Sequence, residues 1–117
     1  MNVASLFEAL QKEIKRRHYL LRLETLEQTP RLLKVRLHIS PEVFVQVYRN
    51  DQYDTTNLAL IHNGRRIYGR DQLGGNWHRH AGMQPNLHDK SQEGQKSVEL
   101  AEFLDEIEAV LASSGLP

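Results

Sequence analysis

The fold is decided by the stretch LKVRLHISPEVFVQVY at residues 33–48, which alternates apolar and polar side chains on both sides of one turn. Before the turn, Leu, Val, Leu and Ile alternate with Lys34, Arg36 and His38, which is typical of a strand with one buried and one basic face. Ser40-Pro41-Glu42 predicts the turn, and the β-branched and aromatic residues after it predict a second strand over residues 43–48.

The next stretch along the chain predicts a second pair of strands. Residues 58–62, four of them apolar, predict a strand. Asn63-Gly64 favours a two-residue type I′ turn after it, because both central positions of that turn need a positive φ. This turn would place Leu60 opposite Ile67 and His62 opposite Arg65. The returning strand, over residues 65–69, would lead directly into an unusual segment at residues 69–89.

Amphipathic helices are predicted at both ends of the chain. Apolar residues from Val3 onward recur at helical spacing to a helix end near Arg17, with Asn2 or Ser5 as the cap. Ser97 is the predicted cap of an acidic C-terminal helix that ends at Ser113-Ser114-Gly115. Leu-rich residues 19–26 fit an alternating strand or a continuation of the first helix, and the strand is favoured.

The order of these elements predicts a single α+β domain over residues 1–117. Its antiparallel sheet of four to five strands is packed by an N-terminal and a C-terminal helix. The connections look like hairpins, and strands and helices do not alternate along the chain, so a parallel sheet is not expected.

Composition narrows the classes of function. The chain has no cysteine, which excludes disulfides, thiolate metal sites and a cysteine nucleophile. No apolar run approaches the roughly 20 residues that cross a bilayer, and no signal peptide precedes the domain, so we expect a cytoplasmic protein with no membrane partner.

The charges balance overall but are unevenly distributed. Residues 1–90 hold 14 of the 15 Lys and Arg and 9 of the 15 acids, a net charge of +5, and residues 91–117 carry −5. This distribution indicates either a basic face suited to nucleic acid or an acidic end that packs beside the basic part.

The segment at residues 69–89 holds three of the six histidines, the only tryptophan and four of the seven glycines. It has no sustained helical or strand periodicity and is predicted to be a long loop. Because long loops inside compact domains are usually functional or disordered, and disordered segments are poor in aromatic residues, we expect a functional loop.

Three interpretations of this loop compete. In the first, His78 and His80 bind a metal, since residues two apart in an extended segment lie on one side, and His88 or Asp89 completes the site. No second ligand pair has zinc-like spacing, so the leading interpretation includes no metal and no cofactor. In another, the loop is an ordered connection in which Trp77 fills the core.

The remaining interpretation is metal-free cleavage of RNA. A histidine titrates near neutral pH and can accept a proton from a ribose 2′-hydroxyl or donate one to the leaving oxygen. Tyr68 or Trp77 would stack on a base. The arginines that would bind phosphate through their planar guanidinium groups are Arg65, Arg66, Arg70 and Arg79.

The same segment carries a resemblance to a known family. The residues concerned are Ile67-Tyr68-Gly69-Arg70-Asp71-Gln72, Gly74-Gly75, Trp77-His78-Arg79-His80, Pro85, His88 and a C-terminal helix with Phe103-Leu104. Over roughly residues 42–111 the chain resembles the TumE-like proteins, toxins of two-gene toxin–antitoxin modules in bacteria and archaea. Family members often have Asn and Pro where this chain has Gln72 and Ala81. The resemblance implies a toxin-like component encoded beside a small helix-turn-helix antitoxin, and it implies no particular reaction.

The leading expectation is therefore a TumE-like toxin that acts on RNA as a ribonuclease. His78, His80 and His88 would share the acid and base roles, and Asp71 would orient a histidine or cap the loop. The runner-up is a non-catalytic binding protein whose loop docks a partner or holds a metal ion.

Overall fold

The computed structural model describes residues 1–81 and 95–116, with residues 80 and 81 described at the level of the backbone. The described elements, in chain order, are α1 (Val3–Arg16), β1 (Arg22–Gln28), β2 (Leu32–Ser40), β3 (Val43–Asn50), β4 (Thr55–His62), β5 (Arg65–Leu73), β6 (Asn76–Ala81) and α2 (Leu100–Ser114). The strands form one sheet in the order of the chain, and every neighbouring pair is antiparallel. The predicted α+β class is confirmed, and the described sheet has six strands where four to five were expected.

The sixth strand arises inside the segment that was predicted to be a loop. Gly74 and Gly75 have φ angles of +56° and +88°, which lets them form a two-residue connection between Leu73 and Asn76. β5 therefore continues to Leu73, and β6 returns beside it. The loop prediction is wrong for residues 69–81, because the Gly-Gly pair acts as a hairpin turn.

The two faces of the sheet differ in what covers them. Alternate residues of the strands join residues of both helices in one apolar core, in which Val35, Val45 and Leu60 are fully buried. α1 contacts β2, α2 contacts β5, and the helices contact each other. The other face carries the intervening residues, most of them half-buried, and no described helix packs on it. We call it the open face.

A β-bulge in the second hairpin decides which residues of β5 reach the open face. His62 pairs with Arg65 as predicted, and Ile61 pairs with Arg66, but Leu60 pairs with Tyr68. The predicted Leu60–Ile67 pair is wrong, because Ile67 is an extra residue in β5. Since a one-residue shift moves each later side chain to the opposite face, the bulge turns Tyr68 and Arg70 towards the helices.

Three of the four helix ends agree with the sequence prediction. Asn2 caps α1, and its Oδ1 accepts a hydrogen bond from the Ser5 amide at 2.8 Å. α1 ends at Arg16, and Gly115, with a φ of +68°, ends α2 as predicted. The predicted Ser97 cap is wrong: Glu99 is the N-cap, and its amide donates to Glu102 at 3.0 Å.

The acidic C-terminal helix packs beside basic residues of the rest of the chain. Arg17 is buried and forms ion pairs with Glu13, Asp105 and Glu108. Part of the acidic charge of α2 is thus neutralised within the fold. None of the helices in the described part of the chain is long and apolar enough to span a membrane.

Candidate functional site on the open face

The register of the sheet aligns the side chains of the open face in rows that run across the strands. One row contains Lys34, Tyr48, Asn57, Asp71 and His78. The adjoining row contains Arg36, Gln46, Ala59 and Gly69. The next row contains His38, Phe44, Ile61 and Arg66. The open face therefore combines basic, aromatic and histidine side chains.

Asp71 and His78, two of the predicted catalytic residues, lie opposite each other on the open face. They are direct partners in the β5–β6 register, where the Cβ atoms of opposite residues lie about 5 Å apart. Asp71 is only 7% exposed. Asn57 Nδ2 donates to Asp71 Oδ1 at 2.5 Å, and Arg66 Nη1 donates to Asp71 Oδ2 at 3.4 Å. These donors fix the orientation of the carboxylate beside His78.

Gly69 allows Arg66 to reach Asp71. A Cβ atom at position 69 would lie 3.4 Å from Cδ of Arg66 and 3.1 Å from the backbone oxygen of Leu58. Arg66 therefore passes close over Gly69 towards the carboxylate two residues further along β5. Gly69 and its buried register partner Ala59 have little or no side chain, so the middle of the open face is a shallow depression.

A basic and aromatic cluster lies at the β1–β3 side of the same face. The guanidinium carbon of Arg36 lies 4.6 Å from the centroid of the Phe44 ring. The His38 ring packs against Phe44 with the centroids 5.8 Å apart, and its Nε2 lies 2.8 Å from Glu24 Oε1. The hydrogen bond with His38 lowers the pKa of Glu24. The sequence indicated a basic strand face here, but the predicted site did not include it.

Tyr68 and Arg70, two of the predicted substrate-binding residues, lie on the helix side of the sheet. Arg70 is 1% exposed, and its Nε and Nη2 donate to the carboxylate of Glu106 at 2.9 and 2.6 Å. The Tyr68 hydroxyl donates to Glu106 at 2.7 Å. Burial, together with the Glu106 carboxylate, raises the pKa of Tyr68 to about 12. These two side chains hold α2 on the sheet.

Trp77 and Arg79 also fall outside the open face. Trp77 belongs to the apolar core, as one of the three interpretations of the loop expected. It lies in strand β6, however, and not in a loop. Arg79 is the register partner of Arg70. Stacking on RNA by Tyr68 or Trp77, or phosphate binding by Arg70, would require buried side chains to become exposed.

The remaining predicted residues are divided among four places. Arg66 lies on the open face, whereas Arg65 is exposed beside the Asn63-Gly64 turn. His80 lies in β6, with Gly69 as its register partner. His88 and Asp89 lie outside the described residues. Within residues 1–81 and 95–116, no group of three or more His, Asp or Glu side chains is arranged to hold a metal ion.

A cleft of about 450 Å³ borders the candidate site. Its described lining comes from the β5–β6 turn, from the start of β6 and from the segment before α2: Gly75, Asn76, Trp77, His78, Gln95 and Ser97. His78 therefore lies both on the open face and at the edge of a cleft.

The fold and the open face define an α+β protein whose candidate site is the side of a six-stranded antiparallel sheet on which neither described helix packs. Comparisons with protein-family models, with curated proteins and with solved structures gave no significant match.

Proposed function

We propose that this protein binds single-stranded RNA on the open face and cleaves it by metal-free proton transfer at His78. The observation that carries the proposal is the Asp71–His78 register pair on a face that also presents basic and aromatic side chains. Positive side chains attract the phosphate backbone, and aromatic rings stack on bases without requiring a particular sequence.

The proposed chemistry needs one proton acceptor and one proton donor. The ribose 2′-hydroxyl attacks the adjacent phosphorus while an imidazole takes its proton, and the bond from phosphorus to the 5′-oxygen breaks as that oxygen receives a proton. We assign one of these roles to His78, oriented by Asp71, and the other to His80. Arg66 would stabilise the charge that develops on the phosphate. The role predicted for His88 stays a sequence prediction.

We further propose that the protein acts as the toxin of a two-gene module in the cytoplasm, with a small helix-turn-helix antitoxin as its partner. The support for this part is the resemblance to TumE-like proteins alone. Expression of the chain without a neighbouring antitoxin should then arrest bacterial growth, and expression of His78→Ala should not.

Cleavage of a labelled single-stranded RNA in the presence of a chelator tests the proposed reaction. We expect the wild-type protein and His18→Ala to cleave, because His18 is exposed and lies outside the sheet. We expect His78→Ala to lose at least about a hundredfold in rate, the scale of general acid–base catalysis. Equal rates for His78→Ala and His18→Ala would exclude the proposed role of His78.

A non-catalytic binding protein is the second candidate. The observation in its favour is that Asn57 and Arg66 already engage both oxygens of Asp71, which gives an ordered face suited to docking. RNA binding on the open face with no cleavage by freshly purified wild-type protein would support this candidate against the first.

A further inference from the structure

Arg36 is a cation on the open face whose hydrogen-bonding groups are not used within the described fold. It is half-buried, and the ring of Phe44 lies against its guanidinium group. Its Nε is buried and has no hydrogen-bond acceptor among residues 1–81 and 95–116. A buried donor without an acceptor is costly, and a charged one especially so, which makes such a group unusual in a native structure.

A candidate acceptor on the neighbouring strand is engaged with another residue. Glu24 is the register partner of Arg36 on β1, but its carboxylate hydrogen-bonds with His38 at 2.8 Å. The ion pairs found in the described part of the chain do not include Arg36 or Lys34. Lys34 is half-buried on the same face, two residues away along β2.

We propose that Arg36 and Lys34 form a phosphate-binding subsite for the RNA backbone, with Phe44 holding the guanidinium plane in place. This inference rests on the proposed function and adds a second point of contact to it. Arginine binds phosphate through a planar pair of donors, and a guanidinium group packed on an aromatic ring loses little freedom when it does so.

The position of this subsite sets the minimum size of the substrate. β2 and β6 are separated by four strand spacings, or about 19 Å. Between them the face is low at Ala59 and Gly69 and is flanked by Gln46 and Tyr48. A chain that contacts both His78 and Arg36 must therefore be an oligonucleotide, since a dinucleotide is too short to span the distance.

Binding of labelled oligonucleotides with 2′-O-methyl riboses tests the subsite, because such RNA lacks the nucleophile and stays intact. Fluorescence anisotropy compares wild-type protein with Arg36→Gln and with Arg31→Gln, an equal charge change at an exposed residue before β2. We expect Arg36→Gln to bind an octamer at least about tenfold more weakly and to lower the salt dependence by about one phosphate contact. Arg31→Gln should bind within about twofold of the wild type.

Two further comparisons separate the subsite from general effects. Phe44→Leu keeps every charge and should weaken octamer binding, because the guanidinium plane is no longer held. A labelled dinucleotide cannot contact His78 and Arg36 together, so Arg36→Gln should reduce its affinity by a smaller factor than it reduces that of the octamer. Thermal unfolding of each variant establishes that it is folded under the conditions of the binding assay.

The outcomes distinguish the subsite from the proposed function. Wild-type binding to the octamer with equal affinities for Arg36→Gln and Arg31→Gln would overturn the subsite and leave the function standing. No binding of any oligonucleotide by the wild type would overturn both. Weaker binding of Arg36→Gln with cleavage still dependent on His78 would support both.

Discussion

Asp71 and His78 face each other across β5 and β6 on the side of the sheet that the helices leave uncovered. The pair lies on this side because one extra residue, Ile67, shifts the register between β4 and β5. Without that shift Asp71 would lie on the helix face, and Tyr68 and Arg70 would lie on the open face. The bulge therefore assigns neighbouring residues of β5 to opposite faces of the sheet.

Replacing Asp71 with Asn should greatly reduce the rate of RNA cleavage and should lower the stability of the fold only slightly. The substitution keeps the size of the side chain but removes the charge that accepts from Arg66 and orients His78. We expect at least a tenfold lower cleavage rate and a loss of about 1 kcal/mol in the free energy of unfolding. Glu8→Gln, an equal change at an exposed position of α1, is the control. An unchanged rate in Asp71→Asn would remove this carboxylate from the site.

Gly69→Ala should disturb Arg66 directly. The added methyl group would meet the Leu58 backbone oxygen at 3.1 Å and Cδ of Arg66 at 3.4 Å. We expect a loss of about 1 to 3 kcal/mol in the free energy of unfolding, and weaker RNA binding because Arg66 is displaced from Asp71. Gly74→Ala, where nothing lies within 4 Å, is a control for loss of a glycine in the same hairpin, although its positive φ adds strain there. Wild-type RNA affinity in folded Gly69→Ala would contradict this prediction.

Glu106→Ala should be strongly destabilising. It leaves Arg70 buried without its carboxylate partner and also removes the acceptor of the Tyr68 hydroxyl. Breaking one side of a buried ion pair costs about 3 to 5 kcal/mol, and because the Glu106 side chain is 27% exposed we expect a loss near the lower end of that range. Asp105→Ala, at a side chain that is 71% exposed, should cost at most about 1 kcal/mol. Chemical denaturation measures both.

The double variant Arg70→Met/Glu106→Leu gives the complementary test of that ion pair. It replaces both charges with apolar groups of similar size, so it should recover much of the stability that Glu106→Ala loses. RNA binding by this folded double variant should match the wild type, since Arg70 is not on the open face. A large loss of RNA affinity in this variant would indicate that Arg70 takes part in RNA binding.

Tyr68 should ionise only at strongly alkaline pH. Burial and the Glu106 carboxylate raise its pKa to about 12. Because the folded state favours the protonated phenol, this contribution to stability is complete below the ordinary tyrosine pKa of about 10 and is lost as the pH rises through about 12. The ultraviolet titration of the wild type minus that of Tyr68→Phe should have its midpoint near the raised value. A midpoint at the ordinary value would show that Tyr68 is not held as described.

The parts of the fold that depend on local sequence are the parts that were predictable. The alternation around Ser40-Pro41-Glu42, the Asn63-Gly64 turn and the Asn2 cap involve residues close together in the chain, and each is present. Gly74-Gly75 is also a local turn signal, and it could have revealed β6. The histidine-rich strand after it has too few apolar residues to show a period of two clearly.

The composition of the site was less predictable, because it depends on contacts between distant residues. The bulge at Ile67 places the Tyr68 ring against the Phe103 ring, with centroids 5.9 Å apart. It also lets Arg70 form its ion pair with Glu106. Both partners belong to α2, more than thirty residues further along the chain. The sequence prediction grouped Tyr68 and Arg70 with Asp71 because it treated residues 69–89 as a loop, in which neighbouring residues are not separated onto two faces.

Amide chemical-shift changes on titration with an uncleavable RNA octamer test most directly whether RNA occupies the open face. We predict that the largest changes lie at open-face positions of β2 to β6, including Arg36, Tyr48, Asn57 and His78, and that α1 and α2 change little. Changes concentrated on the helices, with the open-face positions unaffected, would contradict the account.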